Sequence, residues 1–218
     1  PGRARAALMK LASLPGPTRD GRLVVVSRDL TRAAPATDVA PTMLDAIERW
    51  HDVADGLAAR ADELEEGAAQ GEFAFDPTVA LAPLPRSPQW LDGSVFQTHL
   101  DLMAQALHPD KPNEPTTFPF VYQGASDDFL GAHADIAGYR FDEGIDFEGE
   151  VAVVTGDVPM GVTPDAALAN VRLLMLVNDV SLRNLIPPEL AKGFGFFQSK
   201  PATAFSPVAV TPDELGAT

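Results

Sequence analysis

The 218-residue sequence contains no cysteine. Disulfides, zinc–thiolate sites and a thiol nucleophile are therefore excluded. No run of about 18 apolar residues occurs either, so no segment reads as a membrane-spanning helix. Basic residues are scarce: 16 lysines and arginines stand against 31 acidic residues, a formal net charge of −15. So acidic a chain repels phosphate, which argues against nucleic acid or a membrane as a partner. There is no internal repeat and no low-complexity segment. The basic start, PGRARAALMKLASLPG, has no uninterrupted apolar stretch of signal-peptide length, because Pro15 and Gly16 cut it short. Met9 reads as a more natural start than Pro1, with residues 1–8 as an extension. A cytoplasmic protein is expected.

What is present permits a substantial core. Hydrophobic residues make up 45% of the chain, and its length suits one large domain or two small ones. Arg22 to Ser27, RLVVVS, is short, β-branched and preceded by the turn signal Asp20-Gly21, so it reads as a strand. A partner strand over Met9 to Leu14 would complete a hairpin. Thr42 to Glu66 keeps a 3.6-residue period through Leu44, Ile47, His51 or Trp50, Ala54, Leu57, Ala61 and Leu64. Thr42 with Asp45 reads as its cap and Gly67 as its stop. Phe75 to Pro88 carries Pro77, Pro83, Pro85 and Pro88, and reads as an extended connection between a unit over residues 1–80 and one over 81–218.

In the second unit, Thr98 to Leu107 reads as a short helix. Thr163-Pro164-Asp165 is a strong helix start, with a cap, a first-turn proline and an acid at the positive end of the dipole. The following Leu173 to Val180 reads as a strand, Pro187 to Lys192 as one or two helical turns, and Phe194–Phe197 and Ala204–Val210 as extended. Strands outnumber helices and do not alternate with them, which disfavours a doubly wound or barrel α/β fold.

The chemistry is concentrated in acidic residues. In EGIDFEGEVAVVTG, Asp146, Glu148 and Glu150 stand at spacing two. On a strand these would share one face, about 6.8 Å apart. They are either a solvated strand end or, with a hard divalent cation among them, a binding site. Asp179, in LLMLVNDVSLRNL, closes an apolar strand, with Arg183 four residues on; Asp92, in QWLDGSVFQTHL, precedes His99 by seven. Taken singly, each has a plain structural reading as a turn or surface residue.

Together, in this order, they resemble the fumarylacetoacetate hydrolase family from about Trp90 onward. The N-terminal unit resembles, more loosely, the small domain of longer members. The resemblance implies an α+β, β-rich fold: a mixed β-roll catalytic domain preceded by a small β/α domain. It implies metal ligands Asp92, Glu148, Glu150 and Asp179 for Mg²⁺, Ca²⁺ or Mn²⁺, and a catalytic His99. Tyr122, with Pro119 and Gly124 in FPFVYQG, would be substrate-binding, as would Arg183 and Lys200. Asp146 is no family ligand and reads as solvated.

The activity so implied is hydrolysis of a carbon–carbon bond in a 2-oxo or 1,3-dicarbonyl acid, a small anionic substrate, by a homodimer. Alternatives are a decarboxylase or isomerase of 2-oxo acids on the same scaffold, or an inactive acidic binding module. The sequence departs from the family at Ile186, where the hydrolases have a glutamine, and at Leu102, where the short decarboxylases have a glutamate. The family fold also continues beyond the residue here numbered Thr218.

Overall fold

The computed structural model describes residues 8–107 and 119–216. The expected extension at residues 1–8 lies, up to residue 7, outside them. Strands β1 (Lys10–Leu14) and β2 (Arg22–Val26) form the expected antiparallel hairpin, with Lys10 opposite Val26. Gly21 turns the chain at a φ of +70°, and a Cβ there would lie 2.5 Å from the Leu14 carbonyl oxygen, so only glycine fits. β3 (Arg32–Pro35) continues the meander on β2.

Period-two alternation sends these strands into two cores. Leu11, Leu23, Val25 and Ala34 meet the helical layer, whereas Ala12, Leu14, Val24, Val26 and Ala33 pack on the opposite side with Phe75, Ala80 and Val208. Being buried on both faces, the hairpin reads in sequence as a continuous apolar run.

The helix expected over residues 42–66 is two: α1 (Met43–Glu48) and α2 (Trp50–Glu65), parted at Arg49, whose backbone leaves the helical region. The break moves the buried face to Met43, Ala46, Val53, Leu57, Ala61 and Leu64. Leu44 and Ile47 are left partly buried against it. Thr42 caps α1 as expected, its hydroxyl accepting from the Asp45 N–H at 3.1 Å. Gly67, at φ +70°, closes α2: its N–H bonds the Leu64 carbonyl, and the Ala68 N–H bonds that of Glu63 at 2.8 Å.

After β4 (Phe73–Ala74), paired with β3, the proline-rich connection runs without a long regular element. It is anchored by the Ser13 hydroxyl donating to the Pro83 carbonyl at 2.6 Å. β5 (Leu91–Ser94) leads into α3 (Gln97–Leu107), and β6 (Phe120–Gln123) returns beside β5. β7 (Ile145–Asp146), β8 (Gly149–Thr155), α4 (Pro164–Leu168), β9 (Val171–Asn178), β10 (Ser181–Leu182), α5 (Ile186–Leu190), β11 (Ala204–Phe205) and β12 (Ala209–Val210) complete the described order.

Two further expectations change. Ala204–Val210 is broken between β11 and β12 at Ser206-Pro207, where proline offers no N–H to a ladder. Phe194–Phe197 is not a strand, because its neighbouring N–H groups turn onto a side chain described below.

The main sheet runs β11-β9-β12-β1-β2-β3-β4, with β8 on β9. The earliest strands therefore share one sheet with strands from the last quarter of the chain. Lys10 stands opposite Val210; the Thr211 N–H donates to the Met9 carbonyl at 3.0 Å, and the Met9 N–H donates to the Thr211 hydroxyl oxygen at 3.0 Å. The architecture is a sheet-rich α+β arrangement. Among the described residues, no helix is long and apolar enough to cross a membrane.

Candidate metal centre

Three pieces of backbone bring the acids together. β8 pairs with β9 so that Glu150 faces Val177 and Gly149 faces Asn178. The register runs on into the Asp179 N–H, which donates to the Glu148 carbonyl at 3.0 Å. The Asn178 side chain in turn accepts from the Glu148 N–H at 3.1 Å. Glu148, Glu150 and Asp179 thus emerge at one corner of the sheet. The two-stranded β5–β6 unit supplies the fourth, with Asp92 directly opposite Tyr122. One carboxylate oxygen from each of Asp92, Glu148, Glu150 and Asp179 lies within 4.8 Å of the others.

Asp146 is not one of the four: it belongs to β7, which pairs with β10 rather than β9, and Phe147 and Glu148 separate it from β8. Nor is Asp146 simply solvated: the Arg183 Nε donates to it at 2.8 Å, and that bond, with the adjacent charge, holds its carboxyl below the ordinary range.

Asp179 is fully buried and Glu148 is 8% exposed. So dense a group of carboxylates needs counter-charge or protons. Arg183 bridges Asp146 and Glu148. Lys200 sends its ammonium to Glu148 Oε2 at 2.8 Å, Asp179 Oδ2 at 2.6 Å and Ser181 Oγ at 2.7 Å. Burial works against the charge on Lys200, but Asp179 and Glu148 outweigh it and raise its pKa. Tyr122 donates its hydroxyl to Asp179 Oδ2, and its ring meets Phe196 edge-on at 5.0 Å, beneath Lys200.

Two cations do not neutralise the cluster. Burial, a hydrogen bond with Asp179, and the charges of Glu150 and Asp179 push Asp92 up to about 7. Burial and the charges of Asp179 and Glu148 push Glu150 likewise up to about 7. The donors are all carboxylate oxygens, the set that hard divalent cations take, and their closeness fits one shared ion.

His99 sits on α3, partly buried, and among the described residues makes no hydrogen bond to the four carboxylates. Met103, one turn on and on the same helix face, touches the Arg183 guanidinium through its sulfur at 3.9 Å. Asp101 accepts from Gln97 at 2.7 Å, Leu102 is exposed, and Ile186 is buried in the core. Gly124, part of the tyrosine motif, is required by packing: a Cβ there would lie 2.3 Å from Trp90 Cδ1.

Two contributors carried no sequence signal. Ser181 reads as an ordinary strand serine, and Glu189 as a surface acid on a short helix.

Two family models match the chain. Fumarylacetoacetase N-terminal domain 2 covers residues 9–86, and the fumarylacetoacetate hydrolase C-terminal model covers residues 89–218. Among curated protein sequences none matches significantly. Solved structures with a similar fold include a fumarylacetoacetate hydrolase from the psychrophile Exiguobacterium antarcticum (21% identity, TM-score 0.58, covering 94% of this chain and 67% of that one). A Mycobacterium smegmatis protein with the provisional name HpcE shares 17% identity at a TM-score of 0.58, covering 95% and 68%. An uncharacterised protein from Mycobacterium abscessus shares 18% at 0.52, covering 94% and 67%. The chain thus spans about two thirds of the length of these structures. With both models matched in order and the four acids of the expected metal motif gathered at one corner of the sheet, the chain belongs to the fumarylacetoacetate hydrolase family.

Proposed function

We propose that the protein serves a divalent-metal-dependent hydrolase reaction that cleaves a carbon–carbon bond in a 2-oxo or 1,3-dicarbonyl acid. The observation that carries this reading is the convergence of Asp92, Glu148, Glu150 and Asp179 within 4.8 Å, ringed by Tyr122, Arg183 and Lys200. These four acids would hold Mg²⁺, Mn²⁺ or Ca²⁺, whose Lewis acidity toward a ketone oxygen is the chemistry a bound ion supplies.

The chain's own groups divide the remaining work. His99 takes the proton from an attacking water at an imidazole nitrogen. Arg183 spends Nε and Nη2 on Asp146 and Glu148, and has further N–H groups to offer a substrate carboxylate. Lys200 has three ammonium protons and three acceptors, so in this arrangement its contribution is charge. A direct bond to substrate requires it to leave one of the three. The Tyr122 ring forms one wall, against Phe196. The positive groups also let an acidic protein accept an anionic substrate locally.

The test is product analysis with an acylpyruvate and Mg²⁺ or Mn²⁺, for the wild type and His99→Ala. Hydrolysis yields two acids, and loss of the base lowers kcat about 10²- to 10⁴-fold while ion binding persists. Release of CO₂ instead would assign a decarboxylase. A wild-type thermal transition unmoved by any divalent ion would leave only an acidic binding module.

A further inference from the structure

We propose that Glu189 is the positioning residue that holds Lys200 in the acidic cluster. Glu189 lies on α5, outside the set of candidate ligands. Its carboxylate accepts three consecutive backbone N–H groups, from Phe197 at 3.0 Å, Gln198 at 2.7 Å and Ser199 at 3.1 Å, together with the Ser199 hydroxyl. Successive N–H groups converging on one anion form a nest, here filled from within the chain. Burial alone would raise the Glu189 pKa; the four donors outweigh it and hold the carboxyl down to about 2.

The next residue is Lys200. Ser199 is fully buried and fixed from both sides: Glu189 takes its N–H, and its carbonyl accepts from Leu182 N at 2.8 Å. Leu182 follows Ser181, whose hydroxyl receives the Lys200 ammonium. Pro201 then restricts the Lys200 backbone. The long lysine side chain would ordinarily sample many rotamers, at an ordering cost of about 1.5–2 kcal/mol. A fixed backbone on both sides aims it at Glu148 and Asp179, where it is 8% exposed.

Glu189→Gln is the discriminating variant, because an amide keeps one acceptor and sets an N–H₂ against a backbone donor. Lysine acylation by an N-hydroxysuccinimide acetate, read by peptide mass spectrometry in EDTA, reports the position of Lys200 without any ion. Lys200 reacts at least threefold faster in the variant. Lys10, 16% exposed and paired with Glu214 in the main sheet, stays at its wild-type rate. Should Glu189→Gln fail to fold, Glu189→Asp, which withdraws the carboxylate by one methylene, gives the same comparison. Unchanged Lys200 reactivity in the folded variant, or an equal rise at Lys10, overturns the proposal.

A second arm rests on the ion-site reading. Freed of a tightly held ammonium, the cluster binds Mn²⁺ at least threefold more tightly in Glu189→Gln, and the substitution adds nothing in a Lys200→Met background. An equal effect in both backgrounds overturns action through Lys200. Absence of Mn²⁺ binding in the wild type sinks the ion site itself, while the acylation result still decides the role of Glu189.

Discussion

Replacing Glu150 with glutamine should move stability in opposite directions with and without a divalent ion. Glu150 is pushed from the ordinary 4.5 up to about 7 by burial and by Asp179 and Glu148. A carboxyl whose native pKa is raised contributes stability fully below its unfolded pKa, and that contribution is lost as pH climbs through the native value. Ion-free wild-type protein therefore weakens between about pH 4.5 and 7 on account of this group. At ~1.4 kcal/mol per pH unit the full interval is worth roughly 3 kcal/mol. Glu150 is only half-buried, and solvent screening brings this to about 1–2 kcal/mol. Glutamine has no charge to impose, so Glu150→Gln in EDTA at pH 8 should unfold roughly 2–8 °C higher than wild type. At pH 4 the two should nearly coincide. With Mn²⁺ at a hundred times its dissociation constant, wild type should gain about 2.7 kcal/mol and overtake the variant, which has lost one ligand. Differential scanning calorimetry across the two pH values, with and without the ion, reads all four quantities. A variant less stable than wild type in EDTA at pH 8, or one that keeps the whole ion-induced gain, would refute the electrostatic account of the cluster.

Ion binding should also be proton-linked. Asp92 and Glu150 are both pushed up to about 7 and must ionise to act as ligands, so affinity should rise steeply with pH up to about 7 and level off above it. Calorimetric titration in buffers of different ionisation enthalpy should show more than one proton released per ion near pH 6 and almost none near pH 8.5; a flat profile would contradict it. Gly124→Ala forces a Cβ to within 2.3 Å of Trp90 and should destabilise by about 1–3 kcal/mol, seen as a lower urea midpoint. An unchanged midpoint would show that the indole can yield.

Local sequence determined local structure here. The short β-branched run of β2, the Asp20-Gly21 turn, the Thr42 cap and the Gly67 stop each act over a few residues, and each appears in the fold where the sequence places it. The break at Arg49 leaves no mark in the sequence, because apolar periodicity continues on both sides of it. For the site, motif order named the four acids, since their residue types and sequence context survive without coordinates. Their convergence did not follow from spacing. It depends on β9 pairing with β8 and on β5 pairing with β6, contacts between segments far apart in the chain. Nor did spacing show that Asp146, two residues before Glu148, belongs to a different strand pair and bonds Arg183. Whether a charged side chain meets substrate, solvent or another charge is likewise a long-range outcome. Lys200 and Glu189 are ordinary residues in the one-dimensional chain; only the folded backbone, by turning three N–H groups onto one carboxylate, gives the lysine a direction.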